Sequence, residues 1–369
     1  MKNKVYRYEL EVLSPTIVSS GYEIKNFEII KHKDKVHILD LMKIFRSNRR
    51  FISLSSQIKY DDNNFNLESF LKQNGLNNYQ DYKKYELDLN GTYFRGGAVK
   101  EVIKTAGRPY IPGTSIKGAM RSSLIRAMNV EGDYKRALSN ILNRKVKNPE
   151  KTADDGAESY LFGGSYKSPF RFLRISDTST CEYNSLELCE IKIMNICNGS
   201  VKWYSRNQNT DRINLATSIY SEAIKSGTKL EGKISQGFFD YFIDKDEIRN
   251  IKVVEDIVSK IRKDIDNYIE REIQFFERYH ISEIVNFYRN LKNIKLGDNE
   301  FLIQIGFSTG YLPKSVVRNI DSSFIANLKR VNSSARIYDD LFPKTRRLTI
   351  KHDRIGTPLG WIKISLRDV

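Results

Sequence analysis

The segment from Arg108 to Met128, RPYIPGTSIKGAMRSSLIRAM, contains the strongest fold signal in the chain. Its first part, through Gly113, predicts an extended and turning backbone, because proline fixes φ and glycine permits positive φ. Thr114 or Ser115 can then cap a helix by accepting an otherwise unpaired backbone N–H. The predicted helix has an apolar face at spacings of three and four residues. This face contains Ile116, Ala119, Met120, Leu124, Ala127 and Met128.

Alternating apolar and polar residues predict strands on both sides of this helix. From Tyr6 to Val12, aromatic and aliphatic residues alternate with Arg and Glu, a period of two that is typical of a half-buried strand. A loop from Ser14 to Asn26 is expected next, followed by a hairpin that turns at residues 32–35. Further strands are predicted at Phe172–Ile175, Leu188–Ile196, Phe301–Ile305, Leu348–Lys351 and Trp361–Leu366.

The segments between these strands are predicted to form helices and polar loops. Residues 244–294 carry an amphipathic stripe with a helical period, which predicts a pair of packed helices. Residues 40–85 are predicted to form short helices and polar loops, and residues 154–168 a polar, glycine-containing loop. A helix is also predicted from Pro313 to Ile320, because proline is favoured in the first helical turn.

Strands that alternate with single helices indicate the α+β fold class, with two ferredoxin-like (RRM-like) domains that carry helical insertions. We assign residues 1–240 to an N-terminal domain with insertions at about 40–90 and about 130–170. Residues 241–369 are assigned to a C-terminal domain that includes the helical segment 244–294.

The charge balance restricts the function classes. The chain has 61 Lys and Arg against 45 Asp and Glu, a formal net charge of +16. A field of this sign attracts polyanions, so nucleic acid is the expected partner. The three cysteines and four histidines show no metal-ligand spacing, and no run of about 18 apolar residues occurs. We therefore expect a soluble, cytoplasmic protein without disulfides, metal, cofactor or membrane span.

Two loops share one predicted design, a glycine-containing turn before a helix N-terminus with a basic residue soon after it. Backbone N–H groups and the positive helix end can hold a phosphate, and glycine lets RNA approach closely. Neither loop has the Gly-x-x-x-x-Gly-Lys-Ser/Thr pattern of a P-loop nucleotide site. The candidate RNA-binding residues are Gly113, Thr114, Ser115, Lys117, Gly118 and Arg121 in the first loop, and Gly306, Ser308, Gly310 and Lys314 in the second.

These motifs also resemble a known family. The stretch from Pro109 to Arg121 is similar to the helix-entry motif of the RAMP proteins, the repeat-associated RNA-binding subunits of CRISPR effector complexes. The loop from Gly306 to Lys314 resembles the family's glycine-rich loop, and Pro358 to Trp361 resembles its C-terminal strand entry. With Leu173 to Asp177, four separated parts of the chain occur in the family's order.

Within this family, the chain resembles the subunit of the type III-A (Csm) complex that caps the 3′ end of crRNA. The features that carry this resemblance are the length, the helical stretch before the glycine-rich loop and the Arg346-Arg347 pair. The resemblance implies antiviral defence, with crRNA, the backbone RAMP subunit and other Csm subunits as partners. It also implies support of crRNA maturation, in which recruited host nucleases trim the RNA.

The resemblance carries no catalytic residue over to this chain. The family's backbone subunit cleaves target RNA with an Asp after the first strand, whereas the only acid between Ser14 and Asn26 is Glu23. Other relatives use a histidine as general acid or base, but His32 and His37 lie on the predicted hairpin. Asp177 is typical of a turn or cap residue. We predict no intrinsic nuclease activity, with an RNA endonuclease of the same fold, a 5′-tag-binding RAMP subunit and a structural adaptor as alternatives.

Overall fold

The computed structural model describes residues 4–47, 65–143, 149–165, 167–206, 208–237, 256–331 and 342–369. Strands and helices are numbered in chain order. The strands are β1 (Lys4–Val12), β2 (Ser19–Ile24), β3 (Ile29–His32), β4 (Lys35–Leu39), β5 (Lys83–Asp88), β6 (Val99–Val102), β7 (Lys104–Thr105), β8 (Arg108–Pro109), β9 (Leu173–Ile175), β10 (Leu186–Cys197), β11 (Ser200–Trp203), β12 (Ile219–Ile224), β13 (Lys229–Gln236), β14 (Glu300–Gln304), β15 (Arg346–Lys351), β16 (Arg354–Pro358) and β17 (Trp361–Asp368). The helices are α1 (Leu41–Ser47), α2 (Leu67–Gln73), α3 (Gly113–Ala127), α4 (Glu131–Asn143), α5 (Pro149–Phe162), α6 (Ile257–Arg278), α7 (Ser282–Lys292) and α8 (Ser322–Val331).

Strand β1 lies in the middle of a five-stranded antiparallel sheet with the order β14–β17–β1–β13–β9. Along the chain, β1, α3, β9, β13, α6 and β14 form the β-α-β-β-α-β succession of a ferredoxin-like unit, and β17 is an additional strand. The predicted α+β class with ferredoxin-like architecture is confirmed. The sheet joins residues on both sides of position 240, which itself lies outside the described residues, so the division into two domains stays a prediction.

Helices α3 and α6 pack on each other and contact strands of this sheet, because each has an apolar face. On α3 the buried face includes Ile116, Met120 and Leu124, as the sequence predicts. On α6 the predicted stripe is buried from Ile257 to Phe276, whereas its earlier residues lie outside the described part of the chain. The predicted pair of packed helices consists of α6 and α7.

A second, ten-stranded sheet follows the path β2–β6–β12–β10–β5–β4–β3, with β11 and β15 paired to β10 and β16 paired to β15. The predicted hairpin is confirmed as β3 and β4. The predicted loop from Ser14 to Asn26 is wrong in part, since β2 pairs antiparallel with β6 inside it. Strand β2 is at the edge of the sheet and most of its residues are solvent-accessible, so its sequence lacks apolar alternation.

Two further predictions are wrong. Residues 154–162 belong to helix α5 rather than to a loop, because Ala157 and Phe162 are buried there. Residues 313–320, all of them described, form a turn and an extended segment, and the next helix begins at Ser322. In this segment Arg318 is buried and forms an ion pair with Asp264. The second glycine-containing loop therefore does not lead directly into a helix.

Candidate nucleic-acid interface

Helix α3 begins at Gly113 and is capped by a residue from a distant part of the chain. Pro112 occupies the N-cap position, so the prediction that Thr114 or Ser115 caps the helix is wrong. Instead, the backbone N–H of Gly113 donates to Oδ1 of Asp177 at 2.8 Å. The carboxylate offsets part of the positive charge at this helix end. A phosphate is therefore better accommodated along the side of α3 than directly at its N-terminus.

The segment Ser176–Thr178 that carries this cap is itself fixed by hydrogen bonds. Thr178 N donates to the carbonyl of Ile111 at 3.0 Å, and Ile111 N donates to the Thr178 hydroxyl at 2.9 Å. The Tyr8 hydroxyl on β1 donates to the Ser176 carbonyl at 3.0 Å. The first predicted loop is thus held rigidly against the five-stranded sheet before any ligand binds.

Two of the candidate glycines are required by internal packing. A Cβ at Gly113 would overlap the carbonyl oxygen of Ile175 and lie 2.6 Å from the Ser176 carbonyl group. Gly306 has a φ of +91°, and a Cβ there would overlap the carbonyl oxygen of Ile17. Backbone atoms cannot move aside as a flexible side chain can. These two glycines let chain segments of the protein approach each other.

The other two candidate glycines face open space. Gly118 is exposed in the middle of α3, and a Cβ there would meet no atom within 4 Å. The same holds for Gly310, which also has a φ of +93°. An exposed glycine inside a helix costs about 1 kcal/mol relative to alanine. Nothing inside the described fold explains Gly118, so it is the glycine that best fits the approach of an external ligand.

The basic side chains near α3 differ in how their charges are balanced. Arg121 forms an ion pair with Glu158 on α5, with Nε donating at 2.7 Å. No carboxylate of the described residues is in salt-bridge contact with Lys117. Burial, together with the positive charges of Arg121 and Arg174, lowers the pKa of Lys117. Lys117 is therefore the first-loop cation with the most to gain from an anionic ligand.

A second group of cations surrounds the glycine-rich loop. The Nζ of Lys100 and the guanidinium carbon of Arg347 each lie 5.6 Å from the centre of the Phe307 ring. The Lys314 side chain is accessible to solvent, but neighbouring protein atoms partly desolvate its ammonium group, and this desolvation together with the charge of Arg347 lowers its pKa. Neither Lys314 nor Arg347 has a salt-bridge partner among the described residues. Two like charges held near each other without a carboxylate are a favourable arrangement for binding phosphate.

Arg347 is not among the RNA-binding residues predicted from the sequence. The alternation of side chains along a strand could have indicated that it faces the second loop. Successive side chains of β15 point to opposite faces. Arg346 lies on the inner face, where its guanidinium binds Glu272 with N–O distances of 2.8 and 2.7 Å. Arg347 therefore points the other way, toward Phe307.

Helix α3 joins the two predicted loops. The Ser122 hydroxyl donates to the Lys314 carbonyl at 3.2 Å. Arg126 Nη1 donates to the Ser315 carbonyl at 2.8 Å, next to Lys314 in the chain. The segment that carries Lys314 therefore packs against the face of α3 that contains Ser122 and Arg126, whereas Lys117 lies on a different face of this helix.

The hydroxyl groups predicted to bind RNA differ in accessibility. Thr114 is exposed and Ser115 is half-buried in the first turn of α3. Ser308 is 1% exposed, and its Oγ has no hydrogen-bond partner among the described residues. Of the three hydroxyl groups, that of Thr114 is the most accessible to a ligand.

The potential catalytic groups are engaged in internal contacts. Glu23 pairs with Lys25 at 3.1 Å and with Lys100 at 3.0 Å, and these lysines lower its pKa. Burial lowers the pKa of His37, which is 4% exposed, and raises the pKa of the Cys189 thiol. Within the described ranges, no cluster of three or more His, Cys, Asp or Glu suits a metal ion, and no helix could cross a membrane.

The sequence profile of the RAMP superfamily matches residues 9–311. The chain belongs to the RAMP superfamily. The family predicted from the four motifs is therefore confirmed.

Relatives and solved structures agree with this assignment. The chain is 26% identical over 394 residues to the CRISPR system Cms protein Csm5 of Methanocaldococcus jannaschii, covering 96% of this chain and 88% of that protein. It is also 26% identical over 258 residues to Csm5 of Streptococcus thermophilus, covering 64% of this chain and 65% of that protein.

Two solved structures share the fold of this RAMP protein. One is a chain in the cryo-EM structure of a Csm-crRNA-target RNA ternary complex of a type III-A CRISPR-Cas system, with a TM-score of 0.66 and 19% identity over 98% of this chain and 100% of that one. The other is the crystal structure of T.onnurineus Csm5, with a TM-score of 0.60 and 20% identity over 96% of this chain and 99% of that one.

Proposed function

We propose that this RAMP protein is a crRNA-binding structural subunit of a type III-A CRISPR effector complex. Two lysines carry the proposal: Lys117 on α3, and Lys314 on the segment that packs against α3. Each lies near other positive charges, and neither has a salt-bridge partner among the described residues. A phosphate backbone would relieve this repulsion. The similarity to Csm5 proteins and to a chain of a Csm complex supports crRNA as the ligand.

The binding that follows from this surface is mainly to phosphate and sugar. Lys117 and Lys314 contact phosphates, while Gly118 and Gly310 leave space for the RNA backbone. Such contacts are sensitive to salt and tolerant of base sequence. This suits a guide whose spacer varies while base pairing supplies specificity. Arg121 contributes less in this proposal, because Glu158 already neutralises it.

Within the complex, we place the subunit at the 3′ end of crRNA, where it caps the guide and supports its maturation. The backbone RAMP subunit and other Csm subunits are the proposed protein partners, and recruited host nucleases perform the trimming. In this proposal the protein holds RNA without cleaving it, since Glu23 is paired with Lys25 and Lys100 and His37 is buried. A cytoplasmic location remains the prediction.

The first test removes the Lys117 and Lys314 side chains together. Lys117→Ala combined with Lys314→Ala should weaken binding of fluorescent single-stranded RNA to a similar extent for all spacer sequences. The slope of log affinity against log salt should fall by about 1.4, because each single-stranded phosphate contact contributes about 0.7. Fluorescence anisotropy at several salt concentrations measures both quantities.

The matched control is Lys72→Ala combined with Lys292→Ala. It removes the same charge from two surface lysines that pair with Glu68 and Glu270. The control should leave the salt slope almost unchanged. Equal losses in the two double variants would refute a local site, because the effect would then follow net charge alone.

The same reagents separate the rival functions. Cleavage of labelled crRNA precursor by the purified protein would indicate an endonuclease. Binding that disappears when the 5′ tag is altered would indicate the 5′-tag-binding subunit, whereas crosslinks from residues 113–121 to 3′ nucleotides in the assembled complex support the cap. No detectable RNA binding would indicate a structural adaptor.

A further inference from the structure

The segment Leu312–Asn319, here named the strap, carries Lys314 and contains no helix or strand. One of its carbonyl groups is held by a side chain of α3 and another by a side chain of the strap itself. Arg126 Nη1 donates to the Ser315 carbonyl at 2.8 Å, and Arg318 Nε donates to the Leu312 carbonyl at 3.2 Å. The path of the strap, and therefore the position of Lys314, depends on where these two guanidinium groups lie.

One buried carboxylate fixes both guanidinium groups. Asp264 on α6 is 5% exposed. It accepts hydrogen bonds from Arg126 Nη2 at 2.8 Å and from Arg318 Nη1 at 2.8 Å, with a third from the Ser123 hydroxyl at 2.7 Å. The carboxylate therefore connects helix α3, helix α6 and the strap at one point.

The charges make this arrangement depend strongly on Asp264. Two buried arginines lie against one carboxylate, and burial together with Arg126 lowers the pKa of Arg318 to about 10, although Asp264 opposes the shift. With this pKa, Arg318 remains charged at neutral pH. Without the carboxylate, the repulsion between the two arginines and the cost of buried, unpaired charge would push them apart. The hydrogen bonds to Leu312 and Ser315 would then be lost or displaced.

We propose that Asp264 is a positioning residue for the contact between Lys314 and RNA. It does not touch RNA and acts through Arg126, which holds the strap against α3, and through Arg318, which joins the strap to α6. This inference rests on the proposed function, because Lys314 must be an RNA contact for its position to matter.

A double-mutant cycle tests the coupling. Lys314→Ala is measured in the unsubstituted chain and in Asp264→Asn, with anisotropy of labelled single-stranded RNA as the readout. We expect Lys314→Ala to weaken binding several-fold in the unsubstituted chain and less than twofold in the Asp264→Asn variant. Lys117→Ala should weaken binding in both backgrounds, which shows that Asp264→Asn has not removed the rest of the site.

The matched control is Glu222→Gln, which removes the same charge from another buried carboxylate. Glu222 lies on β12 of the ten-stranded sheet, accepts from Tyr85 at 2.6 Å and pairs with Lys104 on β7. Lys314→Ala should keep its full effect in this background. If Asp264→Asn does not fold, Arg126→Lys replaces it, since lysine keeps the charge but not the branched set of donors.

The outcomes separate the inference from the function on which it rests. An equal loss from Lys314→Ala in the Asp264→Asn and unsubstituted backgrounds would overturn the positioning role while leaving RNA binding intact. The positioning role would also be overturned if Lys314→Ala no longer weakened RNA binding in the Glu222→Gln variant. The coupling would then be a general effect of destabilisation. Absence of RNA binding by the unsubstituted chain would instead refute the proposed function.

Discussion

Replacing Gly118 by alanine should make the protein more stable and a weaker RNA binder. The substituted methyl group meets no atom within 4 Å, and Gly118 lies in the interior of α3 with a helical backbone. Alanine is favoured over glycine at such positions by about 1 kcal/mol, because the unfolded glycine chain has more conformational freedom. We therefore expect the free energy of unfolding to rise by about 0.5–1 kcal/mol.

RNA binding should change in the opposite direction. If the RNA backbone lies against Gly118, the added methyl group must displace it. A steric cost of about 1 kcal/mol would weaken binding about fivefold. Urea unfolding and RNA anisotropy on the same preparation measure the two effects, and a loss of affinity cannot then be attributed to poor folding.

Two other glycines serve as references. Gly132→Ala changes an exposed helical glycine on α4 that also meets no atom within 4 Å, so RNA affinity should stay the same. Gly113→Ala forces a methyl group against the Ile175 and Ser176 carbonyl groups and should cost about 1–3 kcal/mol or more. The reasoning would be refuted if Gly118→Ala bound RNA as tightly as the unsubstituted chain, or if it destabilised the fold.

Two further predictions concern stability. Asp177→Ala should lower the free energy of unfolding, measured by urea titration, by about 1 kcal/mol, because the Gly113 N–H loses its acceptor. Asp177→Asn keeps an acceptor oxygen and should retain most of the stability. Equal stability of Asp177→Ala and the unsubstituted chain would show that the cap is unimportant. Burial holds the pKa of His37 below the ordinary value of about 6.5. The unfolded state therefore binds more protons below about pH 6.5, and stability should decrease there by up to about 1.4 kcal/mol per pH unit until the folded pKa is reached. His37→Phe should flatten this dependence in unfolding curves from pH 5 to 7, whereas His280→Asn, an exposed control at a positive φ, should retain it.

The sequence by itself determined the elements whose signals are local. The alternation in β1 and the proline- and glycine-rich entry to α3 each depend on residues only a few positions apart. So does the helical stripe from Ile257 to Phe276. The same local patterns carried the motifs of the RAMP superfamily. The local patterns gave wrong predictions for residues 154–162 and 313–320. The conformations of these segments depend on packing against elements that are far away in the sequence.

Only the tertiary structure decided which candidate side chains are available to a ligand. Glu158 neutralises Arg121 from 37 positions away, and Asp177 caps Gly113 from 64 positions away. Lys117 and Lys314 acquire no such partner among the described residues. Charge compensation depends on distances of a few ångströms between side chains, and sequence spacing does not specify these distances for residues that meet only after folding.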